Sequence, residues 1–166
     1  MLIDLQPPPV EPITLAEAKA FIRVDHDDED ALITTLIASA RDQLEAYLNT
    51  AMIARPMQVS VPAACEVRLP RWPVMSVETV LSDGVEISEY HVDLRRRPAT
   101  LSVFATDHIE IAFTAGYGLG PEDVPAPLRQ AMLLLVSCGF EHRDIDADTM
   151  PLMVDALTMP YRVVGL

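Results

Sequence analysis

The stretch from Pro12 to Ile33 constrains this chain most, because it fixes a helix start, a turn and a second helix start in quick succession. Thr14, followed three residues later by Glu17, is a capping box, in which each side chain satisfies a free backbone N–H of the first turn. Leu15, Ala18, Phe21 and Ile22 then share one face, which predicts a short helix over 15–24. Asp25, His26, Asp27, Asp28, Glu29 and Asp30 follow, and their carboxylates suit the positive N-terminal end of a second helix. Leu32, Ile33, Leu36, Ile37, Ala40, Leu44, Tyr47 and Leu48 recur at three- and four-residue spacing up to Asn49. That pattern predicts a helix over 28–49, about five to six turns long, with a single apolar stripe. It is a packing surface and holds no reacting groups.

Beyond the stripe the period changes from helical to β-type. Short runs at Met57–Val61, Glu66–Leu69, Val74–Leu81, Val85–Ile87, Tyr90–Leu94, Thr100–Phe104 and His108–Thr114 are separated by turn residues. Ser82-Asp83-Gly84 carries the Asp-Gly signal of a hairpin. In the last run Ile109, Ile111 and Phe113 point one way, and His108, Glu110 and Ala112 the other. Helix returns at Pro127–His142, where the unbroken apolar run Ala131–Val136 predicts burial on most sides. An acidic linker at 144–148 and a short helix at about 150–158 come next.

The expected fold is therefore α+β, one domain over residues 1–166, with a helical core and an inserted small antiparallel β module. Its parts are an extended arm (1–13), a helical segment (14–54), the β module (55–114), a second helical segment (121–158) and a C-terminal tail (159–166). Pro7-Pro8-Pro9 favours polyproline II geometry, so the arm is expected either to lie on a neighbour or to fray.

A net charge of −13 argues against a protein that holds nucleic acid by neutralising phosphates. Residues 1–54 carry ten acids against three bases, so the charge concentrates in the helical opening. With 50% apolar but only 5% aromatic residues, the core should be aliphatic, with eight Met as gap fillers. Fourteen Pro against six Gly punctuate the loops. Cys65 and Cys138 sit in apolar surroundings and are expected as buried small side chains, not as a disulfide or metal pair. The first residues lack the basic start and apolar run of a signal peptide, and no run is long enough to span a bilayer. The expectation is a soluble protein made in a cytoplasm, with no membrane partner.

Candidate chemistry is sparse. Counted from Asp25, a calcium loop needs Gly at its sixth place and Glu at its twelfth, where Asp30 and Leu36 stand. Gly116-Tyr-Gly-Leu-Gly120 has the wrong spacing for a dinucleotide loop, and Glu122 and Asp123 would repel a pyrophosphate. It reads as a turn from sheet to helix. His26, His91, His108 and His142 form no ligand pair, and Ser76, Ser102 and Ser137 lack a nucleophile signature. Arg95-Arg96-Arg97 is the only basic cluster and reads as a solvated or acid-paired loop. No catalytic, cofactor-binding or metal residues are expected.

Pro12-Ile-Thr-Leu-Ala-Glu-Ala-Lys, Arg23-Val-Asp-His-Asp-Asp-Glu-Asp, Leu32-Ile33 and Ala40-Arg41 occur in one order with Ala115-Gly-Tyr-Gly, Val124-Pro-Ala-Pro-Leu-Arg-Gln-Ala and Pro160-Tyr-Arg. In that order they resemble the head–tail connector (adaptor) proteins of long-tailed phages, prophages and gene transfer agents, over essentially residues 12–162. The resemblance implies a structural subunit at the head–tail junction of a virion or phage-like particle, made in the bacterial cytoplasm. It implies a homo-oligomeric ring, twelve subunits in the family pattern, between the portal protein and the tail terminator or stopper. DNA would pass through the ring's channel without specific binding.

Two sets of residues are expected to serve this role. Asp25, Asp27, Asp28, Glu29 and Asp30 would form an acidic channel wall or surface. Met159, Pro160, Tyr161, Arg162, Val163, Val164 and Leu166 would meet the portal or a neighbour, with Arg162 pairing a partner acid. The rival class is a small acidic binding protein or DNA mimic, which should spread its acids at phosphate-like spacing instead of gathering them in one turn. A third class, a hydrolase using Glu141 and His142, would need a pocket that the sequence does not advertise.

Overall fold

The computed structural model describes residues 1–62, 64–103, 108–141 and 150–162. Four helices are placed among them: α1 (Leu15–Ile22), α2 (Asp30–Leu48), α3 (Ala126–Glu141) and α4 (Leu152–Thr158). The strands are β1 (Leu2–Asp4), β2 (Arg55–Val61), β3 (Glu66–Arg68), β4 (Val74–Ser82), β5 (Val85–Glu86), β6 (Tyr90–Asp93), β7 (Thr100–Val103) and β8 (Ile109–Ala115). The α+β expectation holds. His142, Phe104, the acidic linker at 144–148, Val163, Val164 and Leu166 lie outside the described residues.

The capping box forms as read. Thr14 Oγ1 accepts from Glu17 N at 3.1 Å, and the Glu17 carboxylate accepts from Thr14 N at 2.8 Å. The Thr14 N–H above all, with Arg129 adding to it, holds the Glu17 carboxyl below its usual range against some desolvation. Arg129 of α3 also donates to the Pro12 carbonyl at 3.0 Å, which ties α3 to the start of α1.

The stripe of α2 buries Ile33, Ile37, Ala40, Leu44 and Leu48 against Ala18 of α1, Leu128, Met132 and Val136 of α3, and Val154 of α4. Leu36 and Tyr47 pack on the rim of this core, and Leu32 is left exposed at the edge of the stripe. The run Ala131–Val136 is less enclosed than its composition predicts. Ala131, Met132 and Val136 are buried, whereas Leu133, Leu134 and Leu135 are only partly covered, because helical geometry turns them away from α2.

The β module comprises two antiparallel sheets instead of one. The larger has the order β1-β2-β8-β4-β5 and the smaller β3-β7-β6. Ile109, Ile111 and Phe113 of the central strand β8 are fully buried, as their alternation predicts, and pair with Val61, Val59 and Met57 across β2. Val67, Leu101 and Val103 of the small sheet complete the same core. Asp83 (φ +48°) and Gly84 (φ +80°) turn β4 into β5 at the expected hairpin.

The arm does not wait for a neighbour in this fold. Leu2–Asp4 adds to the edge of β2 with Ile3 opposite Gln58, so its extended backbone is satisfied within the chain. Cys65 is exposed and Cys138 half-buried, and both are free, contrary to the expectation of buried thiols. Each has apolar sequence neighbours, but Cys65 precedes a short edge strand and Cys138 lies on the outer side of α3. Among the described residues no helix is long and apolar enough to cross a membrane.

Candidate functional site

The helical and β cores meet at Ala51–Arg55, and the polar groups that fasten this seam were not legible in the sequence. Glu45 of α2 is 3% exposed and Arg55 of β2 is 3% exposed. Arg55 grips Glu45 with two nitrogens, Nη2 to Oε2 at 2.7 Å and Nη1 to Oε1 at 3.0 Å. Its Nε and Nη2 also donate to Asp4 of β1 at 3.1 and 2.9 Å. Glu45 accepts from Met52 N at 2.7 Å, and Arg41 one turn earlier donates to Glu11 at 2.8 Å. Burial opposes the charge on Arg55, but Glu45 and then Asp4 more than offset it and raise its pKa. One buried guanidinium thus joins the helix, the sheet and the N-terminal arm.

The glycine-rich turn runs along the same seam. Gly116 N donates to Pro73 O at 2.8 Å, Tyr117 N to Met52 O at 3.1 Å, and Ala54 N to Gly118 O at 2.8 Å. Glu122 and Asp123 follow directly, and Gly120 N donates to the Asp123 carboxylate at 3.1 Å. The turn carries the chain from β8 into α3, as its sequence suggests.

The acidic turn lies at the other end of α2. Arg23 closes α1 in the left-handed region (φ +60°), and its backbone N–H donates to Lys19 O. Lys19 Nζ then reaches both Asp27 and Asp30 at 2.7 Å, which holds the Asp27 carboxyl below its usual range. Glu29 stands at the N-cap of α2 without a side-chain cap bond. Asp25 and Asp28 are exposed, with His26 Nδ1 3.8 Å from Asp28. Among the described residues no group of three His, Cys, Asp or Glu side chains could hold a metal ion.

At the C-terminal end, α4 buries Val154 and Thr158, while Leu152, Met153 and Met159 are 87, 69 and 65% exposed. Tyr161 packs on the helical core and Pro160 is exposed. The Arg162 guanidinium sits 4.7 Å from the centre of the Tyr47 ring, and the Tyr47 hydroxyl donates to Asp155. Arg162 therefore already has an aromatic partner within its own chain.

For chemistry, the described residues offer little. Ser60 Oγ and His108 Nε2 are 2.5 Å apart, but the pair is on the rim of the large sheet where His108 is exposed. Glu141 is exposed at the end of α3, bonded to Ser137 at 3.4 Å. Arg96 pairs with Asp93 at 3.3 Å, and Arg97 stacks on Trp72 at 4.8 Å from the ring centre.

Residues 12–69 match the family model described as phage gp6-like head-tail connector protein. Those residues carry the signature of that family model. That signature opens at the capped start of α1 and closes with the start of the small sheet, so it covers the helical pair and the seam. Likeness to solved structures spans the whole chain. A chain in the virion of a native gene transfer agent (GTA) particle is 25% identical, with a TM-score of 0.83, covering 100% of this chain and 97% of that one. A chain in the neck of a native GTA particle computed with C12 symmetry is 25% identical over the same shares, with a TM-score of 0.77. A chain in the neck of an empty GTA particle computed with C6 symmetry is 24% identical over the same shares, with a TM-score of 0.83. No curated protein matches the sequence. The resemblance to connectors read from the motifs is borne out.

Proposed function

We propose that this chain is a structural head–tail connector subunit that forms a ring between the portal and the tail of a phage-like particle. The observation that carries this reading is the end-to-end likeness to a chain of a GTA neck, with the connector signature at residues 12–69. The ring is composed of twelve copies, lies at the head–tail junction, and extends the DNA channel towards a terminator or stopper. No reaction is assigned to it.

The physical chemistry supports the assignment. A protein of net charge −13 repels packaged DNA, so the duplex slides through without being held. Asp25, Asp27, Asp28, Glu29 and Asp30 contribute five of the acids behind that net charge. Identical subunits that meet head to tail close into a ring when the rotation between them closes.

The portal-facing element is the segment from Met159 to Leu166, beginning with exposed Met159 and Pro160 beside the apolar outer side of α4. Deleting 159–166 removes the Tyr161 packing and the Arg162–Tyr47 stack. The truncated protein should still melt cooperatively, a few degrees lower, at a cost of about 1 kcal/mol. Particles complemented with it should accumulate as filled heads without tails, counted by electron microscopy. Normal numbers of tailed particles from the truncated subunit would remove the tail from the docking role.

A further inference from the structure

Helix α2 separates two surfaces of opposite charge. At its N-terminal end stand Asp25, Asp28 and Glu29, with Lys19 occupied by Asp27 and Asp30, and Arg23 the other nearby cation in sequence. At its C-terminal end gather Arg68, Arg71, Arg95, Arg96 and Arg97, five of the twelve Lys and Arg of a strongly acidic chain. The fold brings these together. Arg68 and Asp93 flank Thr100 in one row of the small sheet, Leu69 N donates to Ala99 O, and Arg71 Nη1 donates to Glu45 O at 3.0 Å. Asp93 shares this end, engaging Arg96 and the Arg95 N–H, and Glu66 stands two residues before Arg68 on β3.

The basic end also has the make-up of an energetic contact. Trp72 lies under Arg97, and Tyr117 is close enough to feel the Arg97 charge. Trp, Tyr and Arg are the residues that dominate interface energies. A partner bearing carboxylates matches the guanidiniums of Arg68, Arg95, Arg96 and Arg97, which are exposed at this end of the molecule.

We propose that the arginine-rich end of one subunit receives the acidic turn (Asp25, Asp28, Glu29) of the next copy in the ring. The proposal rests on the ring reading above. Nineteen residues of α2 set the two ends roughly 28 Å apart, so a chain cannot bridge them by itself. A head-to-tail interface needs two different, complementary surfaces on one subunit, and these two have that relation. The charges would select the neighbour and fix its register more than they would add affinity.

The test is charge reversal scored by tailed-particle yield and by ring images on the portal, using the full chain. Arg95→Glu with Arg96→Glu leaves the Arg97–Trp72 stack intact, and Asp25→Lys with Asp28→Lys changes only exposed positions. Thermal melting checks that both proteins fold. Each reversal alone should cut assembly roughly tenfold or more, since like charges face each other. The protein carrying both reversals should regain most of it. Assembly unaffected by either reversal overturns the contact. So does a basic-end defect that the acidic-turn reversal fails to rescue, which would assign that end to an acidic surface of the portal or tail. Failure of the ring reading looks different: the unaltered protein would then form no ring on the portal at all.

Discussion

Replacing Arg55 with Met should destabilise the subunit by about 3–5 kcal/mol, a large part of the 5–15 kcal/mol typical of a domain. Arg55 is the only described cation bonded to both Glu45 and Asp4. Without it, the nearly fully buried Glu45 carboxylate keeps only the Met52 N–H and a distant Arg41, 3.9 Å away. Asp4 loses its partner too, so the β1 arm should become the first site of proteolysis. Glu45→Gln should cost less, because the amide can still accept from Met52 N or Arg55. Urea unfolding of the three proteins checks this, and an Arg55→Met protein within 1 kcal/mol of the parent would show that the seam is held by packing alone.

Gly116→Ala should be at least as damaging, by about 4 kcal/mol or more, and for a backbone reason. Gly116 has φ +149°, and an added Cβ would lie 2.6 Å from the Ile53 carbonyl carbon and nearer still to the N and Cα of Ala54. Those are main-chain atoms on the strip that joins the two cores, so no rotamer change relieves the clash. The strip would have to separate from the turn, breaking the Tyr117–Met52 and Ala54–Gly118 hydrogen bonds. Expression as aggregate, or loss of a cooperative melt, is the expected result. A folded Gly116→Ala protein with an unchanged melting temperature would contradict the close approach.

What the sequence made legible was local. The Thr14–Glu17 box, the α2 stripe, the Asp83-Gly84 turn and the β8 alternation each depend on residues within one turn or one strand, so spacing reveals them. What it hid was long-range. Arg41 and Glu45 follow the stripe residues Ala40 and Leu44 and look like its polar border; their burial comes from Arg55 and the arm. The small sheet exists because β3 pairs with a strand more than thirty residues later, which no short window contains. The sequence offers no sign of the contact between Arg162 and Tyr47, 115 residues away. The proposed docking surfaces are legible only as composition, since a carboxylate-rich turn looks the same whether it faces solvent, DNA or a neighbour.

A subunit that rings a portal must add to it in a fixed number of copies. The purified chain and its portal should be mixed and weighed by native mass spectrometry, with the chain alone as control. The expected complex gains twelve copies of the 18.3 kDa chain per portal. A portal that binds no copies, or a few copies without a closed ring, would contradict it.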